Sequence, residues 1–348
     1  MAAAPLILLS GYCPVVTACA LDVATGALTV VATSEGGANP SYMAISPDGT
    51  RAYAVNETPA GRVSAFEFDA ATGALRRIND VPSEGDDPCH VAVHPSGRFV
   101  LVANYSSGTL TALAVRPEDG GLAPLWSVSP GKNAHEARFS ACGGRLYVPC
   151  LGSDAVLQYA FDAATGAIAP LAGAPASAPL AAGAGPRHMA FSPDGGAIAY
   201  VLNELDSTLT SFAVCAATGA LEAPQTLSTL PPGAAAAGNS TAHVVVSPDG
   251  RLVIASNRGH NSLAVFTTAG ASDGARLAPV AWETGGGDVC VPRDFALSPC
   301  GQLLVVANKA TDSVTTFRVD ASTGALAKLA TTALPAGRAP TFVGWVAR

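Results

Sequence analysis

MAISPDGTRAYAVNETPAGRVSAFEFDAATGAL, residues 43–75, holds three strand signals separated by turns of two kinds. Met43 to Ile45 is a short apolar run, and Ser46-Pro47-Asp48-Gly49 turns the chain into a second run, Ala52 to Val55, that stops at Asn56. Val63 to Phe68 alternates like a half-buried strand, and Asp69 to Leu75 carries a Thr72-Gly73 turn. Proline presets φ in the first turn, and glycine accepts a positive φ cheaply in both. Adding the strand that follows Leu75 makes a four-stranded antiparallel unit, whose strands are A, B, C and D.

The unit recurs. The first turn stands at Ser46, Ser192 and Ser247, with variants starting at His94, Ser140 and Ser298, so its spacings are 48, 46, 52, 55 and 51 residues. The second turn recurs at Asp22 to Leu28, Asp162 to Ile168, Cys215 to Leu221 and Asp320 to Leu326, and in degraded form at Asp119 to Leu122 and Asp273-Gly274. A period near fifty with four strands per repeat specifies a propeller. Seven C–D turns stand against six A–B turns, so the N-terminal segment supplies strands B, C and D of a unit that lacks A. The segment Ala339-Pro340-Thr341-Phe342-Val343 resembles the missing lead-in. The expectation is all-β: a seven-bladed β-propeller of four-stranded antiparallel blades, one domain over 1–348, closed by pairing the N- and C-terminal strands, which removes open sheet edges.

Composition narrows the function. Of 348 residues, 49% are hydrophobic and 13% charged, and the net charge of -7 opposes a nucleic-acid partner held by an overall basic field. An anionic ligand must then meet locally placed cations. No run approaches the ~20 apolar residues of a membrane span. The opening MAAAPLILLSGYC lacks the basic start of a signal peptide and reads as a first strand from Leu6 to Ser10. Eight cysteines form neither a CxxC pair nor a cluster with histidine, so they read as reduced, mostly buried thiols of a cytoplasmic protein, with no metal site. No Walker loop, GxSxG or HExxH occurs, and GAGPRH at 183–188 opens no helix, so no cofactor is expected.

Connectivity sorts the polar residues. The D–A and B–C connections lie on one rim of the disc, and the A–B and C–D turns on the other. The first rim collects His90, His135, Arg187, His188 and His243 at the starts of A strands, and Glu57, Glu204, Arg258, His260 and Lys309 after B strands. Arg187 and Arg258 can fork onto a carboxylate or phosphate or hold an oxyanion. Glu204 and His135 are the candidates for general acid or base. His90, His188, His243 and Lys309 are the expected substrate-binding residues at the same mouth. Each has a plainer alternative: Arg187 can brace neighbouring blades, Glu204 can be a loop acid, and the histidines can be packing residues. Cys89 beside His90 gives no thiolate pair, because neighbours in a strand point to opposite faces.

Four stretches carry a resemblance over nearly the whole chain: HVAVHPSGRFVLVANYSSGTL at 90–110, AGPRHMAFSPDGGAIAYVLNELDSTL at 184–209, AHVVVSPDGRLVIASNRGHNSLAVF at 242–266 and PRDFALSPCGQLLVVANK at 292–309. The GPRH and NEL pieces are the most specific. The chain resembles the seven-bladed propeller lactonase family, which includes the cycloisomerase-type bacterial 6-phosphogluconolactonase and the fungal carboxy-cis,cis-muconate cyclase. The resemblance implies a metal-independent lactone hydrolase converting 6-phospho-D-glucono-1,5-lactone to 6-phosphogluconate. It places the family's cleft residues at His135, Arg187, Glu204 and Arg258. A muconate-type lactonising reaction, and a non-catalytic propeller that binds a ligand or protein, remain the alternatives. Cys150 stands where many relatives open Asp-Leu-Gly-x-Asp, while Asp154 is kept.

Overall fold

The computed structural model describes residues 4–268 and 276–346, and the turn expected at Asp273-Gly274 lies outside them. Strands β1 to β28, numbered in chain order, form seven four-stranded antiparallel sheets. Six sheets take four consecutive strands each. The seventh runs β28 (Pro340–Val346), β1 (Leu6–Gly11), β2 (Cys13–Leu21), β3 (Leu28–Glu35). Its inner strand β28 pairs with β1 from Leu6 against Val346 to Gly11 against Pro340, so the two ends close the ring as expected.

The Ser-Pro-Asp-Gly turns owe their recurrence to hydrogen bonds. The Ser46 hydroxyl donates to Asp48 and accepts the Arg51 N–H at 2.9 Å, while Gly49 takes φ 70°. The same pairs recur at Ser192 with Asp194 and at Ser247 with Asp249. In two turns cysteine replaces the aspartate, and Cys142 and Cys300 lie within 3.4 and 3.3 Å of Ser140 and Ser298. Both are exposed, and only Cys19, Cys89 and Cys150 of the eight free thiols are buried. The expectation of mostly buried thiols is therefore corrected: a thiol can stand in for the turn acid as a weak hydrogen-bonding group.

Burial follows strand position. The B strands, such as β9 (Phe99–Asn104), β17 (Ile198–Asn203) and β25 (Leu303–Asn308), are buried at all six positions. Neighbouring blades cover both faces, which is why these strands read as continuous apolar runs. The outer D strands, such as β3 (Leu28–Glu35), alternate with solvent. Between the first two sheets, Leu6, Leu8, Ala52, Ala54 and Phe66 interdigitate. Full burial of one such large side chain contributes about 1.5–3 kcal/mol.

The A strands line the axis and have no strand on their inner side. Their buried N–H groups need other acceptors. Side chains of adjacent blades supply several: Glu136 Oε2 accepts from Met189 N at 2.5 Å, Asp294 Oδ2 from Val343 N at 2.8 Å, and His90 Nδ1 from Ala137 N at 3.5 Å. In each pair the acceptor sits one residue earlier in its own A strand than the donor does in the next.

Ending the chain at Ala339 should break this closure. The variant loses the buried Phe342, Val343 and Val346 and exposes β1 as an edge. We expect a melting midpoint at least ~10 °C lower, or recovery as aggregate, read by thermal unfolding and size-exclusion chromatography. An unchanged melt of a monomeric truncated chain would refute the closure.

Candidate active site

Bulges at the starts of the A strands build the site. In β8 (Pro88–Val93), β16 (Pro186–Phe191) and β24 (Pro292–Leu297), the proline and the residue two places on pair with consecutive residues of strand B. Cys89, Arg187 and Arg293 are left without ladder partners, and all three border the space at the first-rim mouth. Extra residues of this kind re-aim side chains locally. The residue after each one, His90, His188 or Asp294, enters a deeper layer of the axial channel. Cys89 and His90 thus both reach the axis at different depths, which corrects the expectation of opposite faces.

A cleft of about 260 Å³ opens on the first rim. Its centre is Glu204, which follows β17. Glu204 Oε2 lies 2.8 Å from Arg187 Nε, at an angle too oblique for a hydrogen bond, and Oε1 lies 2.9 Å from Arg258 Nη2. Arg258 ends β21 (Leu252–Arg258) and also donates to Thr241 O at 2.6 Å, while Arg187 donates to Ala242 O. Arg187 therefore does brace the neighbouring blade, and it faces the cleft as well. His135, 4% exposed, stacks edge-on to Tyr105 with centroids 5.6 Å apart, and its Nδ1 lies 3.7 Å from Cys89 Sγ. The four residues expected at the cleft share it.

Connectivity alone did not single out Tyr12, Tyr105 or Arg293. Tyr12 sits between β1 and β2 (Cys13–Leu21) and donates to Glu57 Oε1 at 2.8 Å. Arg293 Cζ and Lys309 Nζ lie 5.4 and 4.9 Å from the Tyr12 ring centre, within cation–π range. A usable signal existed: Pro186-Arg187 and Pro292-Arg293 are the same dipeptide at the same place in the repeat.

The electrostatics follow from burial among cations. Burial first, then Arg187 and Arg293, holds the His135 pKa well below 6.5, so its imidazole is neutral at pH 7. Burial lowers Arg187, and it brings Arg258 down to about 10, Arg187 adding to the effect and Glu204 opposing it. Burial also pulls on Arg293, but Tyr12, Glu57 and Glu204 outweigh it and hold its pKa above the ordinary value. Burial pushes the Cys89 thiol up, so it stays protonated.

Beneath the cleft lies the second layer. His90, His188 and His243 are buried there; none lines the cleft, and of the three only His188 borders the small space beside it, with Arg187 and Arg293. His188 Nδ1 and His243 Nδ1 share a 2.8 Å hydrogen bond, His243 Nδ1 approaches Asp294 Oδ1 at 3.3 Å, and His90 Nε2 approaches Glu136 Oε1 at 3.6 Å. Glu136 Oε1 also meets Arg138 Nη2 at 2.8 Å, and Tyr42 stacks on His90 at 4.5 Å. Lys309 stands at the edge of the cleft over Tyr12. His260 turns to Ser262 instead, at 2.8 Å. A larger cavity of about 570 Å³ on the opposite rim, between Tyr200, Asp249 and Arg251, has no comparable convergence of charged groups.

Comparison with known proteins adds a separate line of support. The model of the family described as "Lactonase, 7-bladed beta-propeller" matches residues 10–345. A 6-phosphogluconolactonase of Bacillus subtilis is 32% identical over 306 residues, covering 84% of each chain, and one of Serratia proteamaculans is 28% identical over 93% of each. The solved structure of a Pseudomonas aeruginosa periplasmic gluconolactonase superposes with a TM-score of 0.88 at 28% identity over 99% of both chains.

The buried layer has a measurable signature. Burial pushes the Asp294 carboxyl up to about 8, against the pull of Val343 N–H and Arg187, from an ordinary value of 3.8. Between those values the folded chain holds a proton that the unfolded chain has lost, so this group makes stability fall as pH rises from about 4 to about 8. The buried histidines, with lowered pKa values, act oppositely as pH drops below 6.5. Asp294→Asn keeps an acceptor for Val343 and removes the titration. Its stability relative to the parent should climb from pH 4 to pH 8 in denaturant titrations, and a flat difference would show that Asp294 is ionised in the native chain.

Proposed function

Because the chain belongs to the lactonase family of seven-bladed β-propellers, we propose that it hydrolyses 6-phospho-D-glucono-1,5-lactone to 6-phosphogluconate. The observation that carries this reading is the convergence of two arginines on Glu204 opposite a neutral, buried His135. Lactone opening needs a base for water, a cationic cradle for the carbonyl oxygen and an acid for the leaving ring oxygen.

Water attacks the C1 carbonyl and gives its proton to the neutral imidazole of His135. The carbonyl oxygen becomes an alkoxide facing the guanidinium groups. Collapse of the tetrahedral intermediate re-forms the carbonyl and breaks the bond from C1 to the ring oxygen, which takes the proton back from the imidazolium. Arg187 and Arg293 disfavour that imidazolium, which makes it a strong donor at this second step. Both Glu204 oxygens are occupied by arginines. Its role is therefore to anchor the two forks at fixed separation, and His135 is the proton acceptor.

The substrate class fits a small anionic lactone or sugar phosphate rather than a nucleic acid. No described helix is long and apolar enough to cross a membrane. Eight free cysteines support a reducing, cytoplasmic setting, and the proposed reaction is one of the pentose phosphate pathway. The periplasmic relative favours one second reading, in which the unphosphorylated gluconolactone is the substrate.

An assay coupled to 6-phosphogluconate dehydrogenase should show the wild type opening the phosphorylated lactone faster than its spontaneous rate. His135→Asn should lower kcat about a hundred- to ten-thousandfold. Glu204→Gln should lower it by about ten- to a hundredfold as the forks lose their anchor. Wild-type activity should hold as pH falls through 6.5, since His135 stays unprotonated there. No acceleration by the wild type would end the reading, and full activity in both variants would end the assignment of roles.

A further inference from the structure

We propose that Arg293, with Lys309 over the same Tyr12 ring, forms the phosphate-binding end of the cleft, while Arg187 and Arg258 face the lactone end. This assignment rests on the lactonase reading above and names the part of the site that would read the 6-phosphate.

The cations of the cleft differ in how they are satisfied. Arg187 is held by Glu204 and Ala242 O, and Arg258 by Glu204 and Thr241 O. Arg293 lines the same cleft with neither a carboxylate nor a hydrogen-bond acceptor paired to it among the described residues. It is half-buried beside a tyrosine ring. Glu57 and Glu204 keep it charged from beyond ion-pair distance, so the donors of its fork stay free for an arriving anion. The planar fork suits two oxygens of a phosphate.

Tyr12 fixes the geometry. Its hydroxyl is tied to Glu57 Oε1 at 2.8 Å, which leaves the ring to hold the Arg293 guanidinium at 5.4 Å and the Lys309 ammonium at 4.9 Å. Two positive groups are thereby kept near one another before ligand binds. Around the cleft, Arg187, Arg258, Arg293 and Lys309 face Glu204 and Glu57, an excess of two positive charges, since His135 is neutral. A phosphate monoester near neutral pH carries about the matching charge. Glu57 Oε2 is buried without a protein partner, and it can accept from a substrate hydroxyl between the two ends.

The test compares phosphorylated and unphosphorylated ligands in the full chain. For wild type, Arg293→Gln and Lys309→Gln, kcat/KM is measured on 6-phosphogluconolactone and on glucono-1,5-lactone. Calorimetry measures binding of 6-phosphogluconate and gluconate. In R293Q the preference for the phosphorylated lactone should fall about ten- to a hundredfold, mainly through KM, and 6-phosphogluconate should bind weaker by a similar factor. K309Q should move both readouts the same way by a smaller factor. If R293Q and K309Q each lose activity on both lactones equally, with binding preference unchanged, the subsite is refuted.

Should R293Q fail to fold, Arg293→Lys keeps the charge and removes the fork, and it should show a partial loss of the same preference. A wild type inactive on both lactones would defeat the lactonase reading alone. Calorimetry then decides the subsite: tighter binding of 6-phosphogluconate than gluconate, abolished in R293Q, upholds it, and equal binding overturns it.

Discussion

Seven inner strands meet around one axis, and none of them has a strand on its inner side to satisfy its backbone. That unmet hydrogen bonding shapes the interior. A closed ring removes the outer edge problem by pairing β28 with β1, yet closure brings seven inner edges together at the centre. Glu136, Asp294 and His90 answer it by accepting N–H groups from the next blade. A channel filled with titratable side chains is therefore first a structural device. Its members need no contact with a ligand to be buried and charged or polar.

The same inner strands line the candidate cleft one layer higher. The bulge behind each Pro-x pair lets a single strand send one residue to the cleft and the next into the packed layer. Arg187 and His188 illustrate the division: the first meets Glu204, and the second meets His243. Rigid backing of this kind limits how far the cleft residues can shift, as preorganised electrostatic catalysis requires. It also explains why His135 is neutral, since the layer that supports it excludes water and leaves it among guanidinium groups.

Much of this was legible from residue order. The A–B turns placed β4 (Met43–Ile45) correctly, and the count of turns located the closure between the chain ends. Sorting by rim brought His135, Arg187, Glu204 and Arg258 into one cleft. Arg293 went unselected although it follows Pro292 as Arg187 follows Pro186, because connectivity assigns a residue to a rim without saying which side chain a bulge aims into the cleft. Sorting by rim also carries no depth: it placed His90, His188 and His243 at the mouth, whereas one further step along each strand carries them below the cleft.

The architecture is written along the chain, because a repeated turn chemistry and strand periodicity are local properties that survive without knowing any long-range contact. The seven sheets, their ring closure and the rim that bears the polar residues all follow from it. Which polar residues pair, which stay free and how deep each lies emerge only once the blades are packed together. Those properties depend on distances between blades some fifty residues apart, as from Arg187 in one blade to Ala242 in the next. Whether a guanidinium such as Arg293 finds a carboxylate within ion-pair reach is settled by that packing, and no local pattern records it.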